Sequence, residues 1–574
     1  MRIKHFFGLA VLAAMTASCS SNNDLTNGGG NGSGENESGA SYASFSINLP
    51  TTRGTRADNP EFKPGETNEY DVFNATLLVF KKGATASEGD YTLAETVDLG
   101  SMEPWKNPNE TGVTTQAKIT AKLSNVDKSG DYFALVLLNN GSDANAKVTV
   151  PTVDTKFSDW NKADNANYTN FTDTKKGFYM ANAPLYNAAD KSVTTLVAID
   201  KNKIFPTEAQ ASSGEAAADI YVERGLAKVT LTAATKEEKP VATSSSYAGD
   251  KVTISKWALD VTNLKTFPIH NVDELGYEDI WKNEPAASGP STQRFVDNNP
   301  GTLAKRVYWG KDPNYDKEDL LKTDEAGKTA RAAEFNYVTA NKDVTADPTK
   351  PLYCLENTFN LAHMMQGQTT RVIFKASYTP KDFTAADGKT FFKVGTSVAL
   401  WSQKNLEDHI KAAVTKVISD ATTANTTIDL AATGNDITAA GNHVIEASNI
   451  TVTGHVVKPE EVKAVNDKVG LTKDAGISTY ANGESYYIAR IKHFGDALTP
   501  WNSGETYNDN LKYLGRYGML RNNWYELDVQ SVSGPGYPDV PDVKPNTPDD
   551  EDDKYIKVSV KILDWAKRSQ KVDL

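Results

Sequence analysis

The residues of this chain that could do chemistry fall into patterns that stop short of it. Asp312, Asn314 and Asp316 have the spacing of the first three ligands of a calcium loop. Lys317 stands where that loop needs glycine, and Thr323 where its closing glutamate belongs, so an acidic surface loop is expected there. Gly327-Lys328-Thr329 has the ending of a phosphate-binding loop, with Lys322 in place of the first glycine. Seven histidines are present, but neither an HExxH pair nor a CxxC, which argues against zinc. No GxSxG nucleophile elbow occurs. Asp and Glu total 74, yet abundance is no evidence of a paired acid and base. The sequence predicts a protein that is not an enzyme and carries no cofactor and no metal.

Chemistry done to the chain is better marked. Arg2, Lys4 and His5 precede the apolar run Phe6 to Met15, and Thr16-Ala17-Ser18-Cys19 closes it. Residues 1–18 read as a signal peptide. Small residues ahead of a cysteine are the pattern of an exported lipoprotein, in which Cys19 is acylated; an ordinary signal peptide followed by an incidental cysteine is the alternative. The apolar run is too short to span a bilayer, and no later run would. Cys354 is the second of two cysteines. With Cys19 lipidated it has no partner, and the fold must rest on apolar cores rather than disulfides; a Cys19–Cys354 bridge is the less favoured alternative.

The elements that must organise such a chain are strands. At 574 residues it is too long for one ordinary core, and two domains are expected, with a boundary near Ser245. A net charge of -13 without a Lys/Arg cluster argues against nucleic acid or an anionic membrane surface as the main partner. Residues 20–41, rich in Gly, Asn and Ser, form a tether. Tyr132 to Leu138 reads as a central strand apolar on both faces. Further strands are expected over 220–231, 252–261, 353–359, 370–378, 486–491 and 524–532, with Trp257 in the core. Helical spacing of Leu406, Ile410, Val414 and Val417 predicts a helix over 405–420, and Pro459 opens a second over 459–469.

Two stretches at opposite ends stand apart from this framework. Ala43, Phe45, Ile47 and Leu49 alternate with polar neighbours, as do Ile556, Val558, Val560 and Ile562 with Lys557, Ser559 and Lys561. Period-2 alternation marks a strand with one buried face. Neither stretch has a hairpin turn to a neighbour. The first is followed by the polar loop 50–57, which holds Arg53-Gly54 and Arg56-Ala57. The second follows 534–554, rich in proline and acids, which reads as an extended linker reaching roughly 60 Å. If one groove accepts either strand, removing the first lets the second, from another copy, take its place. The alternative is a tail that folds back onto its own sheet. The apolar phase slips at Leu563-Asp564-Trp565, where a bulge is expected with Trp565 as an anchor.

Several segments carry a family resemblance. They are Val222 to Val229, Tyr353 to Thr358, Thr370 to Tyr378, Gly518 to Tyr525, and the ending Val560 to Trp565 with Val572-Asp573-Leu574. In these the chain resembles the fimbrillins, the type V pilins of Gram-negative anaerobes, and specifically the shaft subunit of the minor fimbria. The resemblance implies a mainly β protein of two β-sandwich-like (transthyretin-like) domains, with a few helices inserted in the C-terminal one. It implies a lipidated propeptide over 19–56, an N-terminal domain over 57–245, a C-terminal domain over 246–533, the linker 534–554 and a donor strand over 555–574.

It further implies export to the outer membrane through lipid on Cys19, and cleavage by an arginine-specific protease. Arg56-Ala57 fits the family's cleavage better than Arg53-Gly54, and both arginines could equally be solvated loop residues. The cut would displace Phe45, Ile47 and Leu49. Ile556, Val558, Val560, Ile562 and Trp565 of another copy would replace them in a head-to-tail filament. Accessory fimbrial subunits and host or bacterial surface receptors are the further partners, and adhesion and biofilm formation the expected outcome. An accessory or tip adhesin is the competing reading. A surface glycan-binding lipoprotein, with Trp105, Trp160, Trp281 and Trp309 stacking on sugars, is a third. Arg224 and Arg521 are expected to serve the fold.

Overall fold

The computed structural model describes residues 41–48, 69, 71–102, 116–126, 128–187, 192–272, 295, 304–472, 475–507, 511–550 and 556–564. The protein is mainly β. The first half of the chain builds one sheet from β1 (Ser41–Asn48), β2 (Val72–Lys81), β3 (Thr92–Met102), β4 (Gln116–Leu123), β5 (Tyr132–Leu138), β6 (Met180–Asn182) and β7 (Ala218–Arg224). Their spatial order is β3-β2-β5-β6-β7-β1-β4, with the short strand Val197–Ala198 beside β5. Tyr132 to Leu138 is central as expected, and its two apolar faces have two destinations. Ala134, Val136 and Leu138 enter one core with Phe45 and Leu77. Leu135 and Leu137 enter another with Trp160, Phe171 and Leu226. The sheet curls until its edges meet: the Glu95 carboxylate on β3 accepts the Ser124 and Asn125 N–H groups, just beyond β4, at 2.9 and 3.2 Å. A single twisted sheet thereby encloses its own core in sandwich fashion.

The chain crosses into the second half at Gly225. A side chain there would meet the Phe171 ring at 2.5 Å, so only glycine lets the strand pass. This splits the run 220–231, expected as one strand, in two. It also places strand 227–231, read as lying before a boundary near Ser245, in hydrogen bonds with C-terminal strands. Seven strands frame this half: β8 (Ala227–Leu231), β9 (Lys251–Asp260), β10 (Leu352–Cys354), β11 (Arg371–Thr379), β12 (Glu484–Arg490), β13 (Asn523–Val532) and β14 (Ile556–Asp564). They form two four-stranded sheets, β10-β8-β13-β14 and, behind Lys239–Pro240, β9-β11-β12. Val229, Trp257, Phe374, Tyr487 and Leu527 fill the space between, giving a second sandwich. Trp257 is fully buried.

Between β11 and β12 the chain inserts a smaller unit. Helix α1 (Gln403–Val417) starts two residues earlier than its periodicity suggests because the Ser402 side chain caps it, and it ends at Val417, where Ile418 is extended. Helix α2 (Pro459–Val469) closes at Gly470, whose φ of 87° suits glycine. Both lay apolar faces on a core that includes Phe392 and Ile477.

The expected linker departs most from its reading. Residues 534–550 are laid along the C-terminal sandwich. Tyr480 and Tyr487 donate to the Gly536 and Gly534 carbonyls at 2.9 and 2.8 Å. Arg371 donates to the Pro541 carbonyl at 2.7 Å. At the end, Arg516 grips the Asp550 carboxylate with two nitrogens at 2.7 and 2.6 Å, while Tyr517 donates to it at 2.9 Å. Proline and acids suit an extended chain, as the sequence suggested, but buried arginines and tyrosines on the sandwich take up its carbonyls and acids. Five residues separate Asp550 from Ile556, a reach of about 20 Å rather than 60 Å. Arg516 and Asp550 are 1% and 4% exposed. Arg516→Ala, which strands the acid, should lower the stability of the C-terminal sandwich by about 3–5 kcal/mol in denaturant titration.

Candidate assembly site

Strand β1 occupies an inner position. It pairs in parallel with β7 (Phe45↔Ala218, Ile47↔Ile220) and in antiparallel fashion with β4 along its whole length, from Ser41↔Leu123 to Asn48↔Gln116. Its inward residues Ala43, Phe45 and Ile47 are fully buried among Ile119, Ala218 and Ile220. Alternation alone would leave the other face in water, but it is covered too. The short helix Glu208–Ser213 lies over it, and the Ser44 hydroxyl donates to the Ala211 carbonyl at 2.6 Å and pairs with Thr120 at 2.8 Å. Ser44 is 0% and Ser46 4% exposed. Two ladders and two buried faces thus converge on eight residues that no hairpin ties to the sheet. Taking them out would leave a slot lined by apolar side chains and by unpaired backbone groups of β4 and β7.

The next described residue, Glu69, is fully buried. Lys228 reaches its carboxylate at 2.6 Å, Tyr353 donates to the same oxygen at 2.7 Å, and Arg224 donates to its backbone carbonyl at 2.7 Å. Asn48 and Glu69 are therefore two fixed points that flank Arg53 and Arg56 in sequence. Arg224 is fully buried in this tie. Arg521, also buried, pairs with Glu356 at 3.2 Å, so both arginines serve the fold as expected. Glu356 in turn faces His270, which bonds Glu223 on β7 at 2.8 Å. Burial pushes the Glu223 carboxyl up, but His270 and Arg306 pull harder and hold it below the usual carboxylate range.

The C-terminal strand sits elsewhere in the same subunit. β14 lies at the edge of the second sandwich, antiparallel to β13, with Tyr525↔Ile562, Glu526↔Lys561, Leu527↔Val560, Asp528↔Ser559, Val529↔Val558 and Val532↔Ile556. Val560 packs on the core below. The irregularity expected at Leu563-Asp564 is absent from this pairing, which runs regularly to Asn523↔Asp564; the register shift lies on β13, between Val529 and Ser531. The structure thus places the two alternating strands in different sandwiches. Cys19, Leu49, Arg53, Gly54, Arg56, Ala57 and Trp565 lie outside the described residues. Sequence reading missed the covered outer face of β1, for which two serines at alternate positions were the signal. It also missed the Glu69 tie and the Asp550 latch, which leave no local pattern.

The near-motifs resolve into structural roles. Asp312 is a buried hub that accepts the Thr358 and Asn314 N–H groups and the Asn263 amide. Burial pushes its carboxyl up to about 7 against the pull of these donors. It is therefore no surface loop. Gly327 sits in the first turn of helix Glu325–Glu334, its N–H taken by Asp324. Among the described residues no cluster of metal-ligating side chains occurs, and no helix is long and apolar enough to cross a membrane. Cys354 is buried and free, and burial pushes its thiol up to about 12. Trp160 and Trp309 are core residues, unable to stack on a sugar, and Trp105 and Trp281 lie outside the described residues.

Residues 478–571, which hold β12, β13 and β14, match the sequence model of the family described as major fimbrial subunit protein type IV, fimbrillin, C-terminal. No curated protein sequence matches the chain. Among solved structures, it is similar to a candidate cell adhesion protein from Parabacteroides distasonis at 11% identity and a TM-score of 0.37, over 92% of this chain and 98% of that one. A second candidate cell adhesion protein from that organism gives 11% and 0.32, over 92% and 99%. A fimbrial assembly protein from it gives 14% and 0.17, over 39% and 64%. The stretch 478–571 is thus a fimbrillin C-terminal segment, of the same family as the resemblance read from the sequence. Over that stretch the chain is similar to fimbrial subunit proteins.

Phe45→Ala in the uncleaved chain removes a fully buried ring from the inner strand. It should lower the stability of the first sheet by about 3–5 kcal/mol in denaturant titration.

Proposed function

We propose that this subunit builds the shaft of a surface fimbria by exchanging strands between copies. The chain is exported with lipid on Cys19, an arginine-specific protease cuts at Arg56-Ala57 (or Arg53-Gly54), and β1 leaves the first sheet. The C-terminal strand of another copy then fills the slot with Ile556, Val558, Val560 and Ile562. The observation that supports this reading most directly is the place of β1. It is an inner strand held, among the described residues, by pairing and burial, and the residues that follow it in sequence include Arg53 and Arg56, ahead of the buried Glu69.

The energetics favour the exchange. At home, β14 has one neighbouring strand among the described residues and lies at a sheet edge. In the slot it would gain a second ladder, each bond adding about 0.5–1.5 kcal/mol, and apolar burial in the slot, on the order of 1.5–3 kcal/mol per aliphatic side chain, would offset what Val560 and its neighbours give up on leaving the second sandwich. Ordering entropy subtracts from this. Because the contact joins different surfaces of successive copies and does not close, it extends into a filament. A shaft subunit must both accept and give a strand, whereas a tip subunit need only accept one. A C-terminal strand held at a sheet edge by one ladder favours the shaft. Accessory subunits, surface receptors, adhesion and biofilm formation follow as roles of the assembled filament.

N-terminal sequencing of purified filaments should begin at Ala57; filaments that retain Ser41 to Asn48 would sink the reading. Deleting Tyr555 to Leu574 should leave folded, cleaved monomers that electron microscopy finds unable to extend a fibre. Normal fibres from that variant would show that another surface joins the subunits.

A further inference from the structure

The proposed exchange leaves open how the incoming strand is aligned, and the slot itself carries the information. A strand can shift by two residues and keep its apolar row inward, so burial alone does not choose among registers. The covered outer row does. Position 44 lies under the helix Glu208–Ser213, with its hydroxyl 2.6 Å from a helix carbonyl and 2.8 Å from Thr120, and it has no exposed surface. Only a small side chain that can donate a hydrogen bond fits there. The residues of β14 that alternate in sequence with its apolar row are Lys557, Ser559 and Lys561, of which one is small.

We propose, on the reading that a second copy's tail fills the slot, that it enters parallel to β7 with Ser559 at the place of Ser44 and Lys561 beside Asp219. Val558, Val560 and Ile562 then take the places of Ala43, Phe45 and Ile47. Moving the tail two residues either way puts Lys557 or Lys561 under the helix, where an ammonium would be buried without a carboxylate. In the proposed register Lys561 takes the place of Ser46, which is also covered at 4% exposed but, unlike position 44, has a carboxylate as its neighbour on β7, that of Asp219. Asp219 is exposed and in no ion pair among the described residues. The neighbour on β4 is Lys118, whose ammonium is drawn aside to the Ser212 carbonyl at 2.9 Å. The same charge pattern exists where the tail rests at home: Lys561 is opposite Glu526 on β13. Home and slot therefore offer one strand the same pairing, an apolar row with a carboxylate next to Lys561.

The test uses the full chain, processed and assembled in its own cells, with cysteine pairs across the joint. Thr120→Cys with Ser559→Cys should give disulfide-linked ladders in oxidised filaments, while Lys118→Cys or Lys122→Cys with Ser559→Cys should give at least tenfold less. The three positions lie on one face of β4 and are equivalent in geometry. Linkage in the Lys118→Cys or Lys122→Cys pair instead would overturn the register while upholding the exchange. Filaments that form with no linkage at any of the three would overturn the exchange itself. Each single variant must assemble, which excludes misfolding as the cause. As a second measure, Asp219→Lys or Lys561→Asp should slow fibre growth on the order of tenfold, and the two together should restore it. Equal growth in all four would overturn the pairing.

Discussion

An inner strand bounded by two ladders and covered on both faces is the constraint around which the first sheet is arranged. Strands at an edge come and go at the cost of one ladder. β1 is bounded by β4 and β7 and covered on both faces, so its loss opens the sheet and leaves β4 without its partner there. Such a vacancy exposes apolar side chains and backbone groups together, and another strand of matching pattern meets both needs at once. Stability before removal and demand for a replacement afterwards have the same origin. The more tightly β1 is held, the stronger the vacancy it leaves.

The tail is arranged in the opposite sense. Its strand rests at a sheet edge with one ladder, while residues 534–550 before it are bound to the sandwich as far as Asp550. A long free leash would let the strand search widely but would cost entropy on docking. Only five residues separate the latched Asp550 from β14. On the proposed exchange, the strand would be received close to the point where it leaves, and the spacing between successive subunits would be set more narrowly than by a fully free linker.

Much of the fold was legible because burial imposes periods. The two-faced run 132–138, the helix 459–469 and the buried Trp257 follow from apolar spacing and a helix-starting proline. What escaped has no local pattern. The split at Gly225 depends on the Phe171 ring, far away in sequence. The docking of 534–550 depends on Arg371, Tyr480, Tyr487 and Arg516, each far from the residue it binds. Proline and acid content indicated the extended conformation correctly and said nothing of the surface that receives it. At the site, alternation identified Phe45 and Ile47 as buried. It was silent on the helix that covers Ser44, since a serine reads as solvated until something is laid over it.

The two ends of the proposed joint are connected along one backbone. β7, which lines the slot, continues through Gly225 into β8, and β8 pairs with β13, the home strand of the tail. Where the sheets change over, charged groups are buried in pairs: Lys228 binds Glu69 and lies 4.0 Å from the Trp524 ring centre, and His270 bonds Glu223 while facing Glu356. Buried pairs of this kind are poor sources of net stability compared with apolar packing, but each is costly to break one side at a time. They therefore resist sliding or hinging between the two sandwiches more than they add to folding. In a filament of the proposed kind, pull on the strand in the slot passes into β7 and across this junction to the sandwich that holds Asp550, from which the next link departs. A subunit that must carry load from head to tail gains from a stiff crossing, and the concentration of buried ions at Gly225 is where that stiffness is built.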